Sequence, residues 1–127
     1  MKYTIAKPGY LLLIMAILSI TCKPNPVEKL SKKWKPVDVT GDDVTAETKK
    51  SIIKEGNVME FSKDGKFISF SAERSADTGS YKLSEDGKVL TIHSSNNRET
   101  KINVTELRAN RLIIDNHGLV LVLEPAK

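Results

Sequence analysis

Val58-Met59-Glu60-Phe61-Ser62-Lys63-Asp64-Gly65-Lys66-Phe67-Ile68-Ser69-Phe70 holds two apolar, alternating runs around an Asp-Gly pair. That arrangement is the strongest short-range signal for a β-hairpin, because a two-residue turn with positive φ at both positions follows the right-handed twist of the strands. The turn sets the register. With Lys63 opposite Lys66, Phe61 faces Ile68 and Met59 faces Phe70, while Ser62, Phe67, Glu60 and Ser69 fall on the other side. One face is then apolar and the other mostly polar.

The same pattern returns at Asp86-Gly87, between 79–83 and 89–94. Pairing Glu85 with Lys88 aligns Leu83 with Leu90 and Tyr81 with Ile92, and leaves Ser80, Lys82, Thr91 and His93 on the polar face. Asn96-Asn97-Arg98 makes the next turn. Ile102 and Val104 continue the apolar face, and a β-bulge near Thr105-Glu106 restores the alternation for Leu107. Ala109-Asn110 leads into Leu112 and Ile114, and Asp115-Asn116-His117-Gly118 turns the chain into Leu119, Leu121 and Leu123. Both faces are apolar there, so Ile113, Val120 and Val122 form a landing site on the outer wall.

Trp34 to Thr40 completes the strand set. The period then changes: Thr40 or Asp42 caps a short amphipathic helix with Val44, Thr48 and Ile52 on one stripe, and Gly56 ends it. The stripe is too thin for a membrane-surface helix, so it is expected on the protein's own sheet. Eight strands joined by short turns, with one apolar face, predict an all-β, eight-stranded antiparallel up-and-down barrel with one short helix between strands 1 and 2. Such an interior is filled by side chains or holds one small ligand. The inward residues expected are Met59, Phe61, Ile68 and Phe70 from the first hairpin, Tyr81, Leu83, Leu90 and Ile92 from the second, then Ile102, Val104, Leu107, Leu112, Ile114, Leu119, Leu121 and Leu123.

Residues 1 to 21 read as an export signal: Lys2 and Lys7 precede an apolar run from Leu11 to Leu18 that is too short to span a bilayer, which needs about 20 apolar residues. The chain's one cysteine, Cys22, ends this segment. It has no disulfide partner, and its place is where a bacterial lipoprotein carries its acylated residue. The domain plan is a signal peptide over 1–21, a lipidated N-terminus and linker over 22–30, and the barrel over 31–127. Two prolines in Lys23-Pro24-Asn25-Pro26 favour an extended tether. No acidic run follows Cys22, so the domain is expected to face the periplasm from the outer membrane.

The other function classes are thin. Without residues 1 to 21, which hold only Lys2 and Lys7 of the 20 basic side chains, the formal net charge is +2, and no aromatics interleave with basic residues, so nucleic-acid binding has no support. His93 and His117, without clustered thiols or carboxylates, make no metal site. No catalytic constellation is visible, no cofactor is implied, and a monomer is expected. Lys32, Lys33 and Lys35 surround Trp34 and can reach anionic headgroups or serve as a solvated strand edge.

Leu30 with Trp34, Phe61 with Asp64-Gly65 and Phe67, Thr78-Gly79 with Tyr81, and Leu107 with Leu112 together resemble the lipocalin-like domain of small bacterial envelope lipoproteins, over nearly the whole mature chain. Lys32 stands where lipocalin-type chains place a glycine. The resemblance implies a barrel and an association with small hydrophobic ligands. The candidate binding residues are Met59, Phe70, Tyr81 and Ile92 at one end of the barrel, a flexible gap-filler and a ring with a hydroxyl among them. The alternatives are a protein-binding envelope module, for example an inhibitor of an attacking enzyme that presents Ala76 to Ser80, and a structural lipoprotein without ligand.

Overall fold

A computed structural model describes residues 25–71 and 76–126. The expected export signal and Cys22 lie outside the described residues. The order is α1 (Pro26–Leu30), β1 (Lys33–Thr40), α2 (Ala46–Ile52), β2 (Val58–Phe61), β3 (Lys66–Phe70), β4 (Asp77–Leu83), β5 (Val89–Ser94), β6 (Glu99–Arg108), β7 (Arg111–Asn116) and β8 (Leu119–Pro125). Each strand pairs antiparallel with its neighbours in sequence, and β1 pairs with β8 to close the barrel. The eight-stranded up-and-down barrel is therefore as the alternation implied.

The first hairpin closes one residue off the expected register. Ser62 N–H donates to Lys66 O (3.0 Å) and Gly65 N–H to Ser62 O (3.2 Å), and Gly65 has φ +89° while Asp64 stays at negative φ. The loop thus holds three residues, a type I turn followed by a left-handed glycine, in place of two. A slip of one residue exchanges the faces of a strand. Phe61 now faces Phe67, Glu60 faces Ile68 and Met59 faces Ser69. Phe67 enters the core, whereas Ile68 and Phe70 turn outward, contrary to the expected pairing.

The Ser62 hydroxyl donates to the Asp64 carboxylate and the Ser84 hydroxyl to that of Asp86 at 2.5 Å. These bonds come first among the causes that hold both carboxyls below the ordinary Asp value, followed in Asp86 by the Lys88 N–H and countered in both by slight desolvation. A carboxyl whose folded pKa is depressed adds stability above the unfolded value, and that stability is lost as pH falls through the folded one. Asp64→Asn and Asp86→Asn are each expected to flatten the fall of the denaturation midpoint below about pH 4. Acid limbs as steep as the parent's would reject the bonded turns.

The second hairpin pairs as expected, Leu83 with Leu90 and Tyr81 with Ile92. The β6 bulge lies between Val104 and Glu106, and Asn97 takes φ +64° in its turn. The two-residue turn with positive φ at both positions occurs after all, at His117 (+53°) and Gly118 (+94°). Gly79 is held by crowding instead: a Cβ there would sit 2.0 Å from the His93 carbonyl oxygen. Gly79→Ala is expected to cost about 1 to 3 kcal/mol by prising β4 from β5. Gly118→Ala, with nothing within 4 Å, bears only backbone strain, about 1 kcal/mol. Equal losses in denaturant melts would contradict this ordering.

Two local expectations change. Pro26 begins a helix in place of an extended tether, because proline suits the first helical position, and the Asn25 side chain accepts Val27 N–H at 3.0 Å. α1 brings Leu30 into the core at 0% exposure, and the Trp34 indole N–H donates to Leu30 O at 2.9 Å. α2 starts later than expected, capped by Thr45, whose Oγ1 accepts Thr48 N–H at 3.1 Å. With Val44 outside it and no residue buried, α2 has little apolar surface for the outer wall of Ile113, Val120 and Val122. It lies beside β1, tied by Lys49 to Asp38 at 2.9 Å.

The core runs from Leu30 and Trp34 through Phe61, Phe67, Tyr81 and Leu90 to Leu112, Ile114 and Leu123. Trp34, Phe67, Val39 and Leu30 join the expected set because β1, the slipped β3 and α1 all face inward.

Candidate ligand cleft

The barrel has two unlike ends. At one, the β2–β3, β4–β5 and β6–β7 turns gather with α1, whose Pro26 lies against Gly87. Leu30 and Trp34 fill that end. At the other, β1 and β2 part company: only Lys33 with Glu60 and Trp34 with Met59 are paired, and beyond Met59 the chain is carried away through α2.

A cleft of about 530 Å³ occupies this open end. Pro36 of β1, Ile52 of α2, Met59 of β2, Phe70 of β3, and Leu119 and Leu121 of β8 form its apolar surface. Ser51, Lys54, Asn57, Ser69, Ser71 and Asp77 supply polar groups around it. The Asn57 amide donates to Ser51 O and Ile52 O, both at 2.9 Å, and so fastens the last turn of α2 over the opening. The volume falls within the range of small-molecule pockets, roughly 300–1,000 Å³, and an apolar wall with a few polar groups is their usual makeup.

The four residues expected to bind together are divided. Met59 and Phe70 line the cleft, Phe70 from the outer face at 39% exposure. Tyr81 and Ile92 are packed in the core and absent from its lining. The Tyr81 hydroxyl donates to Ser62 O at 2.6 Å, at the closed end, and its ring meets Phe61 edge to face at 5.1 Å. A hydroxyl satisfied by a turn carbonyl has no need of a ligand's head group.

Ser69, Ile52 and Asn57 are additions. Ser69 was hidden by the register slip, Ile52 was assigned to helix packing, and nothing in the run after Gly56 singled out Asn57. The stretch from Ala76 to Ser80 offers little loop for a partner, since Asp77 to Ser80 belong to β4. His93 is exposed beside Glu99 at 3.7 Å. Among the described residues no group of three His, Cys, Asp or Glu can hold a metal, and no helix is long and apolar enough to cross a membrane.

The residues that carry the resemblance now have structural roles: Leu30 and Trp34 at the closed end, Asp64-Gly65 at the first turn, Gly79 against β5. The family profile described as a lipocalin-like domain matches residues 30–114. The chain belongs to the lipocalin-like domain family. Its members are in general binding proteins. Two solved structures share the lipocalin-like barrel. An uncharacterized protein from Bacteroides eggerthii DSM 20697 has a TM-score of 0.62 at 15% identity, over 76% of this chain and 99% of that one. A protein from Bacteroides uniformis ATCC 8492, solved by NMR, has a TM-score of 0.55 at 13% identity, over 80% and 92%. At these identities the likeness concerns the fold alone. No curated protein matches this lipocalin-like chain.

Proposed function

We propose that this lipocalin-like protein is a lipid-anchored binding protein of the bacterial cell envelope, held at Cys22, facing the periplasm from the outer membrane, and taking one small hydrophobic ligand in the open-end cleft. The observation that carries the reading is the cleft itself, an opening of about 530 Å³ between Met59, Leu119 and Leu121 in a barrel otherwise filled by its own side chains. Volume and apolar lining suit a single acyl-chain-sized body, with Asn57, Ser69 and Asp77 among the polar groups that line it. The reading is of a binder, in keeping with a family whose members are in general binding proteins.

The test uses a neutral lipophilic dye whose fluorescence rises on burial, added to the chain from Lys23 onward, whose strands and core all lie within residues 30–125. One dye per molecule is expected, displaced by long-chain fatty alcohols. Ser69→Trp, which fills the cleft from β3, is expected to weaken binding at least tenfold, and Tyr81→Phe to leave it unchanged. Undiminished binding in the Ser69 variant would remove the cleft from consideration.

A further inference from the structure

The charged residues of the barrel are sorted by end. Among the described residues, the half holding α1 and the β2–β3, β4–β5 and β6–β7 turns carries ten basic and seven acidic side chains, whereas the half around the cleft carries five basic and eight acidic. Some of the closed-end charges are paired: Asp64 with Lys66 at 3.8 Å, and Glu106 with Arg108 at 3.5 Å and Arg111 at 3.8 Å. Lys29 and Lys63 are exposed there, as is Lys33, which lies across from Glu60. Lys32 reaches over the Trp34 ring to the Ala109 carbonyl at 2.8 Å, which fixes its charge on this end.

The chain enters the barrel at the same end. Asn25 caps α1 and stands three residue steps from Cys22, a span of at most about 11 Å when fully extended. That is about one Debye length at physiological salt. An acyl group on Cys22 therefore brings the basic end within electrostatic range of the headgroups and leaves the acidic mouth on the far side.

We propose that the closed end of the barrel is a docking face for an anionic phospholipid surface, which turns the mouth of the cleft away from the membrane that holds the protein. The placement rests on the anchor at Cys22, and the charge sorting stands without it. Ligand is then exchanged with the aqueous side, not drawn from the lipid beneath.

The experiment adds the full-length, lipid-bearing protein to vesicles of phosphatidylcholine alone or with about 30% phosphatidylglycerol, and follows acetylation of each lysine by mass spectrometry. Lys29, Lys33 and Lys63 are expected to react roughly fivefold more slowly on the anionic vesicles, and the difference to vanish near 1 M NaCl, where the Debye length is about 3 Å. Lys50 and Lys101, in the other half, are expected to react alike on both. The double variant Lys29→Glu with Lys33→Glu should abolish the slowing at Lys63, and Lys50→Glu with Lys101→Glu, of equal charge change, should not. Equal reactivity of the closed-end lysines on both vesicles, or protection at Lys50 and Lys101 instead, would overturn the docking face. Flotation with neutral vesicles reports the anchor separately. Protein that stays behind there speaks against lipid on Cys22, while its lysine pattern on anionic vesicles still decides the docking face.

Discussion

Phe61→Ala is expected to lower the free energy of unfolding by about 3 to 5 kcal/mol, the range for emptying a buried aromatic site. Phe61 is 2% exposed and joins three strands, its ring 5.3 Å from Phe67 on β3 and 5.1 Å from Tyr81 on β4. Truncation leaves a void between β2, β3 and β4 that two rigid rings, one tied through its hydroxyl to Ser62 O, cannot collapse to fill. Phe70→Ala on the same hairpin is the control, since Phe70 sits at 39% exposure and should cost less than 1.5 kcal/mol. Urea melts give both values. If Phe70 proves the costlier site, β3 is inverted relative to the pairing of Phe61 with Phe67.

Trp34→Ala is expected to cost about 4 kcal/mol and to detach α1. Trp34 has no exposed surface, pairs with Met59 on one side and Pro125 on the other, and donates its indole N–H to Leu30 O. Loss of the ring removes packing from both neighbours of β1 and leaves the Leu30 carbonyl with the Lys32 N–H, at 2.8 Å, in place of two donors. α1 has only five residues and cannot persist alone, so its attachment depends on this contact and on Leu30. Trp34→Phe separates the two effects. It retains most of the packing and gives up the hydrogen bond, for a loss of about 1 to 2 kcal/mol. Limited proteolysis near Lys29 should rise in the Ala variant. Unchanged cleavage would mean that α1 is held by something other than Trp34.

Much of the barrel is legible in the chain because alternation and turn residues are local and strand pairs here are sequential. The bulge beside Thr105 and the turn at Asn97 follow from residues a few positions apart. The first hairpin does not, and its neighbour explains why. Ser62-Lys63-Asp64-Gly65-Lys66 and Ser84-Glu85-Asp86-Gly87-Lys88 share Ser-x-Asp-Gly-Lys and the same serine-to-aspartate bond, yet Ser62 N–H donates to Lys66 O while Ser84 N–H donates to Val89 O. The Lys88 carbonyl instead accepts Val104 N–H at 2.7 Å from β6. Register is decided there by a third strand, which the hairpin's own residues cannot report.

The cleft was legible only in part for a related reason. Met59 belongs to an apolar face visible in one strand, but Pro36, Ile52 and Leu121 come from three elements that meet only when the barrel closes. Tyr81 is ambiguous by nature, since a phenol with one apolar side suits a ligand's head group and a turn carbonyl equally well. Only the fold, by placing Ser62 O at 2.6 Å, chooses between them.

The uneven pairing of β1 shapes how the molecule is made. β1 meets β2 at two residue pairs, but it runs alongside β8 from Trp34 to Thr40. Its main partner is thus the last strand to be synthesised. Every other junction joins strands adjacent in sequence, β1–β2 across α2 and the rest at the small entropic cost of a shorter loop, while the β1–β8 junction must bring together the two extremes of the domain. Assembly of the meander is therefore expected to begin as an open sheet with Trp34 still unburied, and the step that seats the tryptophan and seals the wall to wait for Leu119 to Pro125. Until then the nascent chain lacks the closure that would lock it.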